Sequence, residues 1–129
     1  MNPRVSVVIP VYNEERFIDR FVRSLLLQTY PREDMEWIFV DGMSTDRTQA
    51  LLGEYQKQNP KLIRLFTNPD RTVPYAMNIG ILASLGEYIV RLDAHSKYEP
   101  DYIERCVYYL DTTDADNVGG VAVTKSRGF

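Results

Sequence analysis

The chain predicts an α/β fold built on a Rossmann-like, mostly parallel sheet with helices on both faces. Three observations carry that expectation. Strand-like runs alternate with segments of helical periodicity, the runs are solidly apolar as in sheets buried on both sides, and 129 residues suit one core and not two.

The elements follow in order. Val5-Ser6-Val7-Val8-Ile9 is a β-branched run, closed by Pro10, which has no N–H to give a ladder. From Glu15 to about Gln28 the residues Phe17, Ile18, Phe21, Val22, Leu25 and Leu26 recur at helical spacing, with Arg16, Asp19, Arg20 and Arg23 largely opposite, and Pro31 forbids continuation. Trp37 to Val40 is a second strand. Behind it, Ser44-Thr45-Asp46-Arg47-Thr48 offers a hydroxyl N-cap and an acidic first turn to a helix ending near Gln58. Leu62 to Phe66 is the third strand, and the turn-rich Asn68-Pro69-Asp70-Arg71 leads into a helix from Pro74 to Leu85, with Gly86 as its stop. Tyr88 to Leu92 is the fourth strand. Pro100 opens a last helix with an apolar face of Tyr102, Ile103, Cys106, Val107 and Leu110, and Val118 to Val123 reads as a final strand.

Composition bounds the function. A net charge of −3 and a pI near 5.1 argue against a nucleic-acid surface, so any phosphate binding is local. Apolar runs fall far short of the ~20 residues a membrane span needs, and Met1-Asn2-Pro3-Arg4 enters a strand without a secretory leader. The expected compartment is the cytoplasm. Cys106 is the only cysteine, which excludes an internal disulfide or a cysteine-based zinc site and suits core filling.

Parallel sheets bind ligands at the carboxyl ends of their strands. Three polar clusters fall there: Tyr12-Asn13-Glu14 after the first strand, Asp41-Gly42 after the second and Asp93-Ala94-His95 after the fourth. Asp93 and His95, two apart on extended backbone, point to the same side and together suit a divalent cation held against a diphosphate. The plainer alternative is that Asp93 caps a turn and His95 is a solvated loop residue. Receiver domains and metal-dependent phosphatases place acidic residues at the same strand ends, so position alone leaves the chemistry open.

The loops are more specific. Val5 to Glu15 with its Pro10-Val11-Tyr12-Asn13-Glu14 end, Ser24 to Pro31, Val40-Asp41-Gly42-Met43-Ser44-Thr45-Asp46, and Gly86 to His95 resemble, in order and spacing, the amino-terminal half of family 2 glycosyltransferases. The resemblance covers nearly the whole chain. It implies the A-type glycosyltransferase fold, a nucleoside diphosphate sugar as donor, UDP-linked, and a place among bacterial enzymes of exopolysaccharide and cell-surface glycan assembly. It also implies inverting transfer to a saccharide or lipid-linked acceptor, at the inner face of the cell membrane in the full-length protein.

By the same resemblance, Tyr12 stacks on the nucleotide base, with Pro10 and Val11 lining its pocket and Glu14 beside it among the donor-binding residues. Asp41 accepts a hydrogen bond from base or ribose, although Gly42 stands where many relatives carry a second Asp. Arg71 reaches the ribose or diphosphate, Asn78 ties its helix to the ligand loop, and Asp93 and His95 hold the metal, with histidine in the last ligand position of the usual Asp-x-Asp. Imidazole favours Mn2+, with Mg2+ the alternative. The catalytic base and the acceptor site are expected in a following half, beyond Phe129. The chain therefore reads as residues 1–129 of a donor-binding fragment, in which Asp101, Glu104, Asp111, Asp114 and Asp116 are solvated surface carboxylates. Two functional classes stay open: a transferase domain, and a nucleotide-sugar-binding module without turnover. An apolar edge left uncovered would favour dimerisation.

Overall fold

Four of the apolar runs become parallel strands in a computed structural model that describes residues 2–113 and 123–125. The order is β1 (Val5–Val11), α1 (Ile18–Leu26), a 3-10 turn (Arg32–Asp34), β2 (Met35–Asp41), α2 (Thr48–Gln58), β3 (Ile63–Thr67), α3 (Val73–Ala83), β4 (Tyr88–Arg91), α4 (Tyr102–Thr112) and β5 (Val123–Lys125). Across the sheet they run β3-β2-β1-β4-β5, and only β5 is antiparallel, against β4. Of the final strand expected over 118–123, residues 118–122 lie outside the described residues, as do Asp114 and Asp116.

The strand order sets the site. The chain moves outward from β1 through β2 to β3, then returns to lay β4 on the other side of β1. A crevice therefore opens between the diverging connections at the carboxyl ends of β1 and β4, the switch point where such sheets bind ligands.

Alternation along β1 assigns the two faces. Val5, Val7, Ile9 and Val11 join Trp37, Phe39 and Val90 under Ile18, Phe21 and Leu25 of α1, Leu52 of α2, and Ile103, Cys106, Val107 and Leu110 of α4. Val8 points the other way, with Ile38, Val40 and Ile89, against Ala76 of α3. There α3 lies so close that a Cβ on Gly80 would stand 2.3 Å from Val8 Cγ1. Gly86 serves a close approach of this kind, its amide donating to Ser6 Oγ at 2.8 Å where a Cβ would meet Ser6 N at 2.7 Å. It does not stop the helix, which ends earlier, with Ser84 already extended.

Pro10 does not end the first strand; it pairs with Val40 inside it. Val8 C=O accepts from Leu92 N, so even-numbered positions of β1 direct their backbone groups toward β4. β4 pairs with β1 only as far as Val8↔Arg91, so Pro10, which has no N–H to give, stands where that ladder ends.

Candidate functional site

Two loops form the floor of the crevice, and reciprocal hydrogen bonds join them. Gly42 N donates to Val11 O (2.8 Å), Asn13 N to Ser44 Oγ (2.8 Å), Thr45 N to Asn13 Oδ1 (2.8 Å), and Glu14 N to Thr48 Oγ1 (2.8 Å). Asp46 completes the joint by accepting from Glu15 N (3.2 Å) and from the amide and hydroxyl of Thr48 (2.9 and 2.6 Å). Asp46 thus serves the start of α2, where a hydroxyl N-cap was expected; the Ser44 hydroxyl is used by Asp41 and Asn13. The same joint fixes the turn that leads into α1, which begins at Ile18 and not at Glu15: Asp46 accepts from the amide of Glu15, and Glu14 O accepts from Phe17 N and Ile18 N.

Among the described residues three non-glycines carry left-handed backbone, all beside this crevice: Asn13 (φ 51°), Met43 (φ 67°) and Arg71 (φ 69°). Asparagine tolerates that region, whereas methionine and arginine do so at a cost of about 1 kcal/mol or more. For Arg71 the turn is set by Asn68, a buried side chain that donates to Thr72 O (2.9 Å) and accepts from Asp70 N (3.1 Å).

Seven of the nine residues expected at a site meet here. Pro10, Val11, Tyr12, Glu14, Arg71, Asp93 and His95 line one cavity of about 180 Å3. Tyr12 is 44% exposed, and its ring lies beside Gly42, whose missing Cβ would be 3.6 Å from Tyr12 Cδ1 and 3.5 Å from Arg71 Cα. A side chain at position 42 would therefore project between the Tyr12 ring and Arg71.

Asp41 stands apart from them, in an adjoining cavity with Gln49 and Phe66. Its buried carboxylate accepts from Ser44 N (3.0 Å), Ser44 Oγ (2.5 Å) and Gln49 Nε2 of α2 (2.6 Å), which uses three of roughly four acceptor positions. Asn78 lies on the exposed side of α3, two positions and about 200° around the helix from buried Ala76. At the other end of that segment, Asn68 joins its loop to the start of α3 through Thr72 O.

Asp93 and His95 leave the end of β4 under separate restraints. The amide of Asp93 donates to the Tyr98 hydroxyl (2.9 Å), and burial pushes that phenol's pKa up, so it stays neutral. Asp93 Oδ1 lies 3.6 Å from Arg91 Nη2, a half-exposed pair. His95 Nδ1 lies 3.1 Å from Glu14 Oε2, and its ring meets the edge of Phe17 at 6.3 Å. Among the described residues no three His, Cys, Asp or Glu side chains converge on a point where a metal ion would sit. Asp93 and His95 alone fit a cation only when further oxygens come from whatever binds beside them.

Sequence reading passed over Arg91 as a site residue. It lines the same cavity, and its Nε is buried without an acceptor among the described residues. The signal was present: a single charge inside the apolar run Tyr88 to Leu92. Gln28 was also missed. Its side chain donates to Glu99 O (2.7 Å) and accepts from Ile103 N (3.1 Å), fastening the start of α4 and with it the loop that carries His95.

A larger cavity, about 630 Å3, opens at the opposite end of the sheet around Met35, Leu62, Arg64 and Leu85. Its polar centre is already paired: Glu36 accepts from Arg64 (2.8 Å), Ser6 Oγ (2.6 Å) and Leu85 N (2.7 Å). A buried charge so compensated is structural. No helix among the described residues is long and apolar enough to cross a membrane.

Known proteins resemble the chain in sequence and in fold. The family described as "Glycosyl transferase family 2" matches residues 6–129. The chain is 36% identical over 101 residues to the dolichyl N-acetyl-alpha-D-glucosaminyl phosphate 3-beta-D-2,3-diacetamido-2,3-dideoxy-beta-D-glucuronosyltransferase of Methanococcus voltae, covering 78% of this chain and 32% of that protein. It is 35% identical over 105 residues to the chondroitin synthase of Escherichia coli, covering 81% and 15%. The chain thus spans about a third or less of the length of these two relatives. Among solved structures, the mannosyltransferase PcManGT of Pyrobaculum calidifontis, in complex with GDP-Man and Mn2+, superposes with a TM-score of 0.79 at 29% identity, over 91% of this chain and 34% of that one. S. aureus TarS in complex with UDP-GlcNAc shares the fold at 23% identity, with a TM-score of 0.75, over 91% and 36%.

Proposed function

The chain belongs to glycosyl transferase family 2, and from that premise we propose that its crevice at the ends of β1 and β4 binds a nucleoside diphosphate sugar together with a divalent cation. The observation that carries the reading is the convergence of an exposed aromatic ring, two arginines and an Asp–His pair on one small cavity. Each suits one part of such a donor. Tyr12 offers a face to the base, Arg71 and Arg91 offer guanidinium groups to the diphosphate, and Asp93 and His95 hold the cation. That Arg71 is kept in a strained conformation, where glycine would sit freely, supports a role beyond the turn itself.

Because the protein supplies only Asp93 and His95, cation and donor are expected to bind interdependently, each completing the other's coordination. Imidazole makes Mn2+ the expected ion, with Mg2+ the alternative, and the Mn2+ in the P. calidifontis mannosyltransferase supports that choice. When bound, the cation neutralises charge on the departing nucleoside diphosphate. The residues of this chain orient the donor and hold its phosphates. Asp41, enclosed by Ser44 and Gln49, acts on the base through the shape of its loop and at most one remaining acceptor position. UDP is the expected nucleotide. For the whole protein we propose inverting transfer of the sugar to a saccharide or lipid-linked acceptor in cell-surface polysaccharide assembly. The relatives' glycan-forming names support this, and no catalytic base is assigned within the described residues.

Calorimetric titration with UDP, GDP and dTDP, with and without Mn2+, tests the reading. UDP with Mn2+ should bind tightest, and Tyr12→Ala, which removes about 1–3 kcal/mol of stacking, should weaken it about 5- to 150-fold. No binding by any nucleotide, or binding indifferent to both Mn2+ and Tyr12, would overturn the proposal.

A further inference from the structure

We propose that Glu14 is a positioning residue for the cation site: its carboxylate holds Nδ1–H of His95 and leaves Nε2 as the coordinating nitrogen. The inference rests on the reading of His95 as a metal ligand and adds the group that orients it. Glu14 Oε2 lies 3.1 Å from His95 Nδ1, and the two side chains differ sharply in freedom, with 16% of Glu14 and 60% of His95 exposed. An ionised carboxylate only accepts hydrogen bonds, so the proton between them belongs to Nδ1 when the ring is neutral. The lone pair is then on Nε2, the nitrogen away from Glu14. Ligating histidines are commonly fixed through their second nitrogen in this manner, which sets both tautomer and ring orientation.

Glu14 is itself well anchored. Its amide donates to Thr48 Oγ1 at 2.8 Å, and Thr48 is fully buried at the start of α2. Its carbonyl accepts from Phe17 N (2.9 Å) and Ile18 N (3.0 Å), the entry to α1. Phe17, on the same turn, sets its ring edge against the imidazole. His95 is therefore held by the loop after β1, although it is carried by the loop after β4. The arrangement couples the ion to the loop that presents Tyr12, so that disorder in one reaches the other.

His95 is the only histidine in the chain, so imidazole nitrogen NMR of the metal-free protein reads one tautomer without ambiguity. The full chain should show the Nδ1–H form. Glu14→Ala should lose that form and weaken Mn2+ binding in the presence of UDP about 10- to 100-fold. Glu14→Gln keeps an accepting oxygen, so it should keep the tautomer and stay within about tenfold of wild type. An Nε2–H ring in the wild type would overturn the proposal. Mn2+ affinity that falls in His95→Ala but not in Glu14→Ala would overturn it alone, whereas affinity unchanged in His95→Ala would remove the metal reading of His95 and the proposal with it.

Discussion

Replacing Gly80 with alanine tests how α3 is seated on the sheet, and through α3 the wall of the crevice formed by Val73 and Ala76. A Cβ at position 80 would stand 2.3 Å from Val8 Cγ1 and 3.2 Å from Cγ2. Carbon atoms rest at about 3.5–4.0 Å, so helix or strand must separate by more than about 1 Å. Val8 has little room to yield, being fully buried in the central strand with Ile38, Val40 and Ile89 around it. Overpacking of this kind costs about 1–3 kcal/mol, and the severity of the contact puts it near the upper end. Alanine's better helix propensity returns about 1 kcal/mol. The net expectation is a loss of about 2 kcal/mol, or roughly 6–12 °C in Tm for a domain of this size. Urea denaturation followed by circular dichroism measures it, and Val8→Ala supplies the control. Once the Val8 methyls are gone the added Cβ fits, so the double variant should be more stable than the sum of the single effects by about 1–2 kcal/mol. A Gly80→Ala protein as stable as wild type, or strictly additive effects, would refute the packing argument.

Two further outcomes follow from the site. Burial pushes the Asp46 carboxyl up, but the hydroxyl and amide of Thr48 and the amide of Glu15 outweigh it and hold the group below the usual aspartate range. Its folded pKa is depressed, so its stabilisation is fully present above the unfolded value near about 4 and is lost as pH falls through the folded value. Urea midpoints of wild type and Asp46→Asn should therefore differ most near neutrality and converge in acid; a gap independent of pH would count against this role. Arg91 lies against Asp93 and faces the crevice, so Arg91→Met should have opposite effects on the two ligands. Mn2+ alone should bind up to about fivefold tighter, because a competing half-exposed ion pair is removed, while UDP with Mn2+ binds more weakly. Titrations in which both affinities move the same way would remove Arg91 from the phosphate side of the site.

The four parallel strands and their helices were legible because solid apolar runs, helical spacing and Pro or Gly breaks agree along the chain. Boundaries went astray where loops bond to loops. Pro10 sits inside β1 at the point where the ladder to β4 ends, and α1 starts late, after a turn whose first amide, that of Glu15, is held by Asp46. The convergence of Tyr12, Arg71, Asp93 and His95 on one cavity follows from strand order, which position at strand ends already suggested. The Glu14–His95 contact joins residues 81 positions apart and has no signature in spacing. The surroundings of Asp41 and Asn78 were not legible: residue identity does not reveal that Ser44 and Gln49 occupy three acceptor positions of one, or that the other lies on the exposed side of its helix.

The central claim is that a cation and a nucleoside diphosphate share the crevice at the ends of β1 and β4. Paramagnetic broadening of backbone amide signals by substoichiometric Mn2+, with UDP present, tests it directly because broadening reports proximity to the ion. Tyr12, Asp93 and His95 should broaden first, while Ser6, Glu36 and Arg64 at the opposite end of the sheet stay sharp. Broadening centred on that opposite end, or spread evenly over the surface, would contradict it.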